Sequence, residues 1–143
     1  MTRSGTQIDG VIESYKAAVL AADAESLMRL YEPSVRVFDA WGAWLYEGAA
    51  AWKRAVEAWL NSLGSETVRV DFSDVKVLKE PPVTMLNAIV TYAAESASGE
   101  ALRSMQNRIT WVLRENDGVL HIVHEHTSAP IGFEDAKAIL QRE

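Results

Sequence analysis

The feature that most constrains this chain is a pair of long runs near its end, joined by Asn116-Asp117-Gly118. The first is L-R-S-M-Q-N-R-I-T-W-V-L-R from Leu102, and the second is V-L-H-I-V-H-E-H-T-S-A-P ending at Pro130. Apolar residues alternate along both, and the residues between them tolerate positive φ, so the segment specifies a tight β-hairpin. A hairpin alone is marginal in water, so the rest of the chain must cover one of its faces. The two strands also carry Arg108 among apolar neighbours and all three histidines of the protein. No other stretch concentrates as much potential chemistry.

The upstream half changes period. Ile8, Val11, Ile12, Tyr15, Ala18, Val19 and Ala22 recur at three- and four-residue steps, the apolar stripe of an amphipathic helix. Asp23 is placed to cap a second, shorter helix with Leu27, Leu30 and Tyr31 inward, stopped near Pro33. Val35 to Asp39 reads as a short strand, and A-W-G-A-W as a bend leading to another at Leu45-Tyr46. Ala49 to Leu63 is a third helix, with Trp52, Val56, Trp59, Leu60 and Leu63 on one face and Gly64 as its stop. Alternation resumes from Val68 to the Pro81-Pro82 break and again over Val83 to Glu95, and Ser96 to Gly99 turns into the hairpin. Residues 131–143 read as a short helix or tail. Helices first and a long antiparallel meander afterwards make one α+β domain, with its core over residues 8–130.

Composition removes several function classes. With no cysteine, disulfides, thiolate catalysis and cysteine zinc sites are excluded. The net charge is −6 without a basic stripe, which argues against a nucleic-acid partner. No apolar run suggests a leader or a membrane span, so the expected location is the cytoplasm, with no membrane partner.

Three pieces of this sequence resemble the nuclear-transport-factor-2-like superfamily. They are V-F-D-A-W-G with the later E-G, the strand R-I-T-W, and D-G-V-L-H-I-V-H-E-H-T-S-A-P. Within that superfamily the chain is most similar to SnoaL-like proteins and to the association domain of calcium/calmodulin-dependent kinase II. The resemblance implies a cone of three N-terminal helices packed in a strongly curved antiparallel sheet, with a pocket inside. A second, more distant likeness is to ketosteroid isomerase. Tyr15 to Asp23 and Val37-Phe38-Asp39 fit that enzyme's register without a gap, which puts Tyr15 and Asp39 on its tyrosine and its proton-moving aspartate. Its third group, a protonated acid on a later strand, has no evident counterpart. Arg108 or Asn107 falls nearest that position, and the kinase domain also has an arginine at Arg108.

Residue by residue, the candidates carry different weights. Asp39 ends a strand beside Trp41 and Trp44, where burial would raise its pKa toward a general base's range; otherwise it accepts loop N–H groups. Tyr15 is either a core tyrosine or a donor to a developing oxyanion. Alternation puts Ser104, Gln106, Arg108 and Thr110 on one face, expected to be a polar pocket wall. Met105, Asn107, Ile109, Trp111 and Leu113 take the other, expected to be core or dimer interface. Arg108 then needs an anion, either Asp39 or Glu47 internally or a ligand carboxylate. His124 and His126 share one face of the last strand and Glu125 and Thr127 the other. One histidine is expected against the tryptophans and one at the pocket, with no third ligand for a metal. Trp41, Trp44, Tyr46 and Trp59 supply apolar lining.

The expected function is therefore a pocket for a small apolar or carboxylate-bearing ligand in a homodimer, without metal or cofactor. The alternative is an isomerase-like enzyme in which Asp39 shuttles a proton next to a carbonyl while Tyr15 and Arg108 hold the enolate.

Overall fold

A computed structural model describes residues 4–142. Three helices precede most of the sheet: α1 (Ser4–Leu20), α2 (Ala24–Met28) and α3 (Ala49–Asn61). The strands are β1 (Tyr31–Phe38), β2 (Tyr46–Glu47), β3 (Thr67–Glu80), β4 (Val83–Glu95), β5 (Ala101–Asn116) and β6 (Val119–Ser128). They form one curved, unclosed sheet in the order β2-β1-β6-β5-β4-β3. All neighbours are antiparallel except β1 and β6, which run parallel. The α+β cone expected from the resemblance is the fold. Among the described residues no helix is long and apolar enough to cross a membrane.

The helices form where the apolar stripes lie. On α1, Ile8, Val11, Tyr15, Ala18 and Val19 are buried, and on α3 so are Trp52, Val56 and Leu60. Asp23 caps α2, its Oδ1 accepting the Ser26 backbone N–H at 3.1 Å. That helix ends before Tyr31, which opens β1 instead of closing the helix. Pro33 lies inside β1, where the pairing with β6 is interrupted between Tyr31 and Arg36, because proline offers no N–H to a ladder. The hairpin turn falls on Asp117 and Gly118, both at positive φ (52° and 78°), as the sequence requires.

The helices pack on the concave side of the sheet. There Val35, Val37, Leu86, Val90, Ile109, Trp111, Leu113 and Ile122 are buried to 1 % exposure or less. Filling these positions stabilises the fold by roughly 1.5–3 kcal/mol per aliphatic side chain. The burial decides between the two expectations for this face of β5, core and dimer interface, in favour of the core. The face of β5 bearing Ile109 and Trp111 is interior, so it cannot be a surface where two copies meet.

Residues 131–142 contain no helix. Ile131 and Ala138 bridge as a small antiparallel clasp, and the tail then returns to β5. The Gln106 N–H donates to the Leu140 carbonyl at 2.7 Å, which satisfies a strand edge beyond the last residue of β6.

Candidate functional site

Every helix and most strands contribute to one cavity of about 600 Å³ on the concave side. Its aromatic walls are Tyr15 from α1, Trp41 and Tyr46 beside β2, Trp52 and Trp59 from α3, and Tyr92 from β4. Its polar groups are Asp39 at the end of β1, Asn107 on β5 and Glu125 on β6. Arg103, Ser104 and Leu140 also line it.

Glu125 is 2 % exposed and pinned at one oxygen. Its Oε1 accepts the Tyr31 hydroxyl at 2.5 Å and the Trp111 indole N–H at 3.0 Å. Burial pushes its carboxyl up to about 7, opposed by those two hydrogen bonds and aided by the charge of Asp39. Burial therefore favours the protonated form of this group, and Oε2 is the oxygen not engaged by Tyr31 or Trp111.

Asp39 sits in a more polar setting. Its Oδ1 accepts the Thr127 hydroxyl at 3.0 Å and its Oδ2 the Trp41 backbone N–H at 3.3 Å. Thr127 is fixed in turn by the Ala40 N–H, which donates to its Oγ1 at 2.8 Å. Burial raises the Asp39 carboxyl above the ordinary range, and the bonds from Thr127, Trp41 and Ala40 pull it back. The parallel pairing of β1 with β6, which sets Phe38 opposite His126, brings Thr127 within reach.

The third feature is a phenol pair. The Tyr15 and Tyr92 hydroxyls lie 2.8 Å apart. In such a pair one hydroxyl donates to the other, which leaves the second hydrogen free for an occupant. Burial raises both phenols, Tyr15 well above its usual value, so both stay protonated. Tyr15 is held edge-on by Phe72 and Trp111, with ring centres 5.8 and 5.4 Å away.

The charged side chains lining the cavity are acids, apart from Arg103, which is committed to Glu66 at 2.7 Å. Trp52 Nε1 and Asn107 Oδ1 are buried without hydrogen-bond partners among the described residues. The cavity thus combines aromatic walls, unsatisfied polar groups and two carboxyls with raised pKa values.

A SnoaL-like domain model matches residues 8–132. The chain belongs to the SnoaL-like family. Its fold is similar to that of a nuclear-transport-factor-2-like protein of unknown function from Pseudomonas putida. The two share 20 % identity and a TM-score of 0.84, over 100 % of this chain and 99 % of the other. It is also similar to a protein from Xanthomonas campestris assigned as a calcium/calmodulin-dependent kinase II association domain. There identity is 17 %, the TM-score 0.73 and the coverage 86 % and 85 %. A nuclear-transport-factor-2-like protein from Salmonella enterica matches at 14 % identity and a TM-score of 0.73, over 94 % and 96 % of the chains. No curated protein sequence matches the chain.

In this SnoaL-like domain the candidate residues divide. Tyr15, Asp39, Trp41, Tyr46 and Trp59 line the cavity. Arg108 does not. It is exposed on the convex side, its Nε donating to Ser128 Oγ at 3.0 Å. Gln106 shares that side, donating to Thr91 Oγ1 at 3.1 Å and accepting the Arg142 N–H at 2.7 Å. The physical reason is that the apolar set of β5, centred on Ile109 and Trp111, takes the concave face and alternation sends Gln106 and Arg108 outward, while Ser104 still borders the cavity.

The histidines are also outside the cavity. His124 Nδ1 bonds the Arg36 carbonyl at 2.7 Å, and both His124 and His126 pack edge-on to Phe38, not to a tryptophan. Trp44 is 96 % exposed and touches only a neighbouring groove. Sequence reasoning had no role for Glu125, Tyr31 or Tyr92. The signal for Glu125 was an acid between two histidines in a strand. Its direction is set by an irregularity at Val123, where pairing with β5 steps from Ile122 to His124. Before it Leu120 and Ile122 point inward; after it Glu125 and Thr127 do.

Proposed function

We propose that this protein binds a flat, uncharged, oxygen-bearing small molecule in the concave cavity and moves a proton on it. Asp39 takes a proton from carbon next to a carbonyl. Protonated Glu125 and the free hydroxyl hydrogen of the Tyr15–Tyr92 pair donate to the oxygen on which the negative charge develops. One observation carries this reading: two carboxyls in unlike surroundings border one aromatic cavity, with Asp39 better solvated and hydrogen-bonded and Glu125 enclosed. Pairs of acids held apart in this way divide into a base and an acid. Glu125 thus supplies the neutral acid that the likeness to ketosteroid isomerase lacked, and it replaces Arg108 in that role. A carboxylate ligand is disfavoured, because Asp39 faces it as an anion and the one cation lining the cavity among the described residues, Arg103, is paired with Glu66.

The test is α-proton exchange of a ring ketone such as 2-tetralone in deuterated water, followed by NMR, beside calorimetric binding of 2-naphthol. Wild type is expected to accelerate exchange. Asp39→Asn should lower the rate by about 10²–10⁴-fold and shift 2-naphthol affinity by less than about threefold. Binding without exchange in the wild type would leave a non-catalytic pocket, the role that the likeness to the kinase association domain suggests. We further infer that the protein is a homodimer formed through the convex face of the sheet.

A further inference from the structure

Asp39 borders two spaces. On the side away from the cavity lies a shallow groove of about 470 Å³, lined by Phe38, Ala40, Ala43, Trp44, His126 and Thr127. The groove and the cavity share Asp39 and Gly42, so they meet at the residue proposed as the base. We propose that the groove is a second subsite for the same ligand, whose extension carries an aromatic ring that stacks on Trp44. This rests on the cavity being a small-molecule site.

Three observations carry it. The first is the junction, where Gly42 presents no side chain. Its φ is +80°, a region that favours glycine, and the Tyr46 hydroxyl lies 2.7 Å from where a Cβ would stand, so that hydroxyl is the group beside the junction.

The second is the exposure of the indoles beside the junction. Trp44 is 96 % exposed and Trp41 53 %, in a domain that buries Trp52 and Trp111 to 8 % and 0 %. An aromatic side chain can bury on the order of 150–250 Å² against a partner, and here Trp44 leaves that area unused in a groove that shares Asp39 and Gly42 with the cavity.

The third is the groove's floor. The Phe38 ring is held edge-on by His124 and His126 at 5.0 and 5.3 Å, and the Arg36 guanidinium covers it at 5.1 Å. The floor is therefore preformed, and an occupant need not organise it. A cavity of this size holds two or three fused rings, so a longer molecule must emerge somewhere. Emerging past Gly42 would carry its reactive portion alongside Asp39 and lay its outer ring on Trp44.

The experiment compares 2-naphthol with 6-benzyloxy-2-naphthol, which adds one ring on a short linker, by isothermal titration calorimetry on the full chain. The extended probe is expected to bind wild type about three- to tenfold more tightly than 2-naphthol, the scale of one aromatic contact. In Trp44→Ala the ratio of the two dissociation constants should return to about one, and Trp44→Phe should keep most of the gain. Equal affinities in the wild type overturn the subsite and leave the cavity reading intact. So does a Trp44→Ala ratio equal to that of the wild type. A Trp44→Ala protein that sediments differently from wild type without any probe makes Trp44 an assembly contact and also overturns it. If neither probe binds wild type, the subsite and the cavity reading fall together.

Discussion

Glu125 makes the residue scale measurable, because its surroundings tie folding to pH. In an unfolded chain a glutamate titrates near 4.3, and in the fold burial holds this one at about 7. Below both values each state carries the proton and the group contributes no slope. Between about pH 4.3 and 7 the unfolded chain has released its proton while the folded chain retains it, so stability falls as pH rises. Above about 7 the loss is complete, on the order of 2–4 kcal/mol for a shift of this size. Asp39 is raised too, by burial, and acts in the same direction. Glu125→Gln keeps an oxygen for the Tyr31 hydroxyl and the Trp111 N–H and has no proton to lose. In urea unfolding the variant should match wild type near pH 4.5 and exceed it by roughly 1–3 kcal/mol at pH 8. A variant with the wild-type slope across that window would place the titration elsewhere.

At the scale of elements, most boundaries were legible because each rests on local chemistry. Val83 to Glu95 begins after a Pro-Pro break and ends at a serine-glycine turn, and β4 has those limits. The stripe of Trp52, Val56 and Leu60 is the buried face of α3. Orientation was less legible. Alternation on β5 separates Arg108 from Trp111 but does not say which one faces the cavity, and the concave side had to serve both as core and as pocket. On β6 even the alternation breaks, since the irregularity at Val123 turns Glu125 inward with nothing in its neighbours to announce it. Nor does polar composition show that residues 131–142 return to β5. Leu140 accepts from Gln106 N–H, Gln141 donates to the Ser104 carbonyl and the Arg142 N–H donates to Gln106, each at 2.7 Å. Truncation after Pro130 removes these three bonds and the Leu140 side chain from the cavity lining. The expected cost is roughly 1–3 kcal/mol in urea unfolding with an unchanged far-ultraviolet spectrum. A truncated chain as stable as the whole would mean that the tail bonds exchange evenly with water.

For the whole molecule, the sheet has one side covered by helices and the other bare. Met85 and Val112 pair across β4 and β5, and Val112 lies opposite His124 on β6. All three are half-buried on the convex side, and Ile89 lies four residues along β4, beyond the exposed Asn87 and opposite the exposed Arg108. An antiparallel sheet tolerates water on one face, but neighbouring methyl-rich side chains there favour a partner. The proposed dimer would use this face, since the Ile109–Trp111 side is filled from within. Val112→Arg tests it with little disturbance to the core. Two copies each carrying a net charge of −6 repel one another, so an added positive charge lowers the general repulsion between them. Any weakening must then come from a guanidinium forced into an apolar contact. Wild type is expected to sediment as a dimer at micromolar concentration, more tightly as salt screens the repulsion. Val112→Arg should weaken association by at least about tenfold, because stranding one charge in an apolar interface costs more than 1.4 kcal/mol. The far-ultraviolet spectrum should stay that of wild type. A wild-type monomer under those conditions, or a variant that associates as well as wild type, would remove the convex face as the interface.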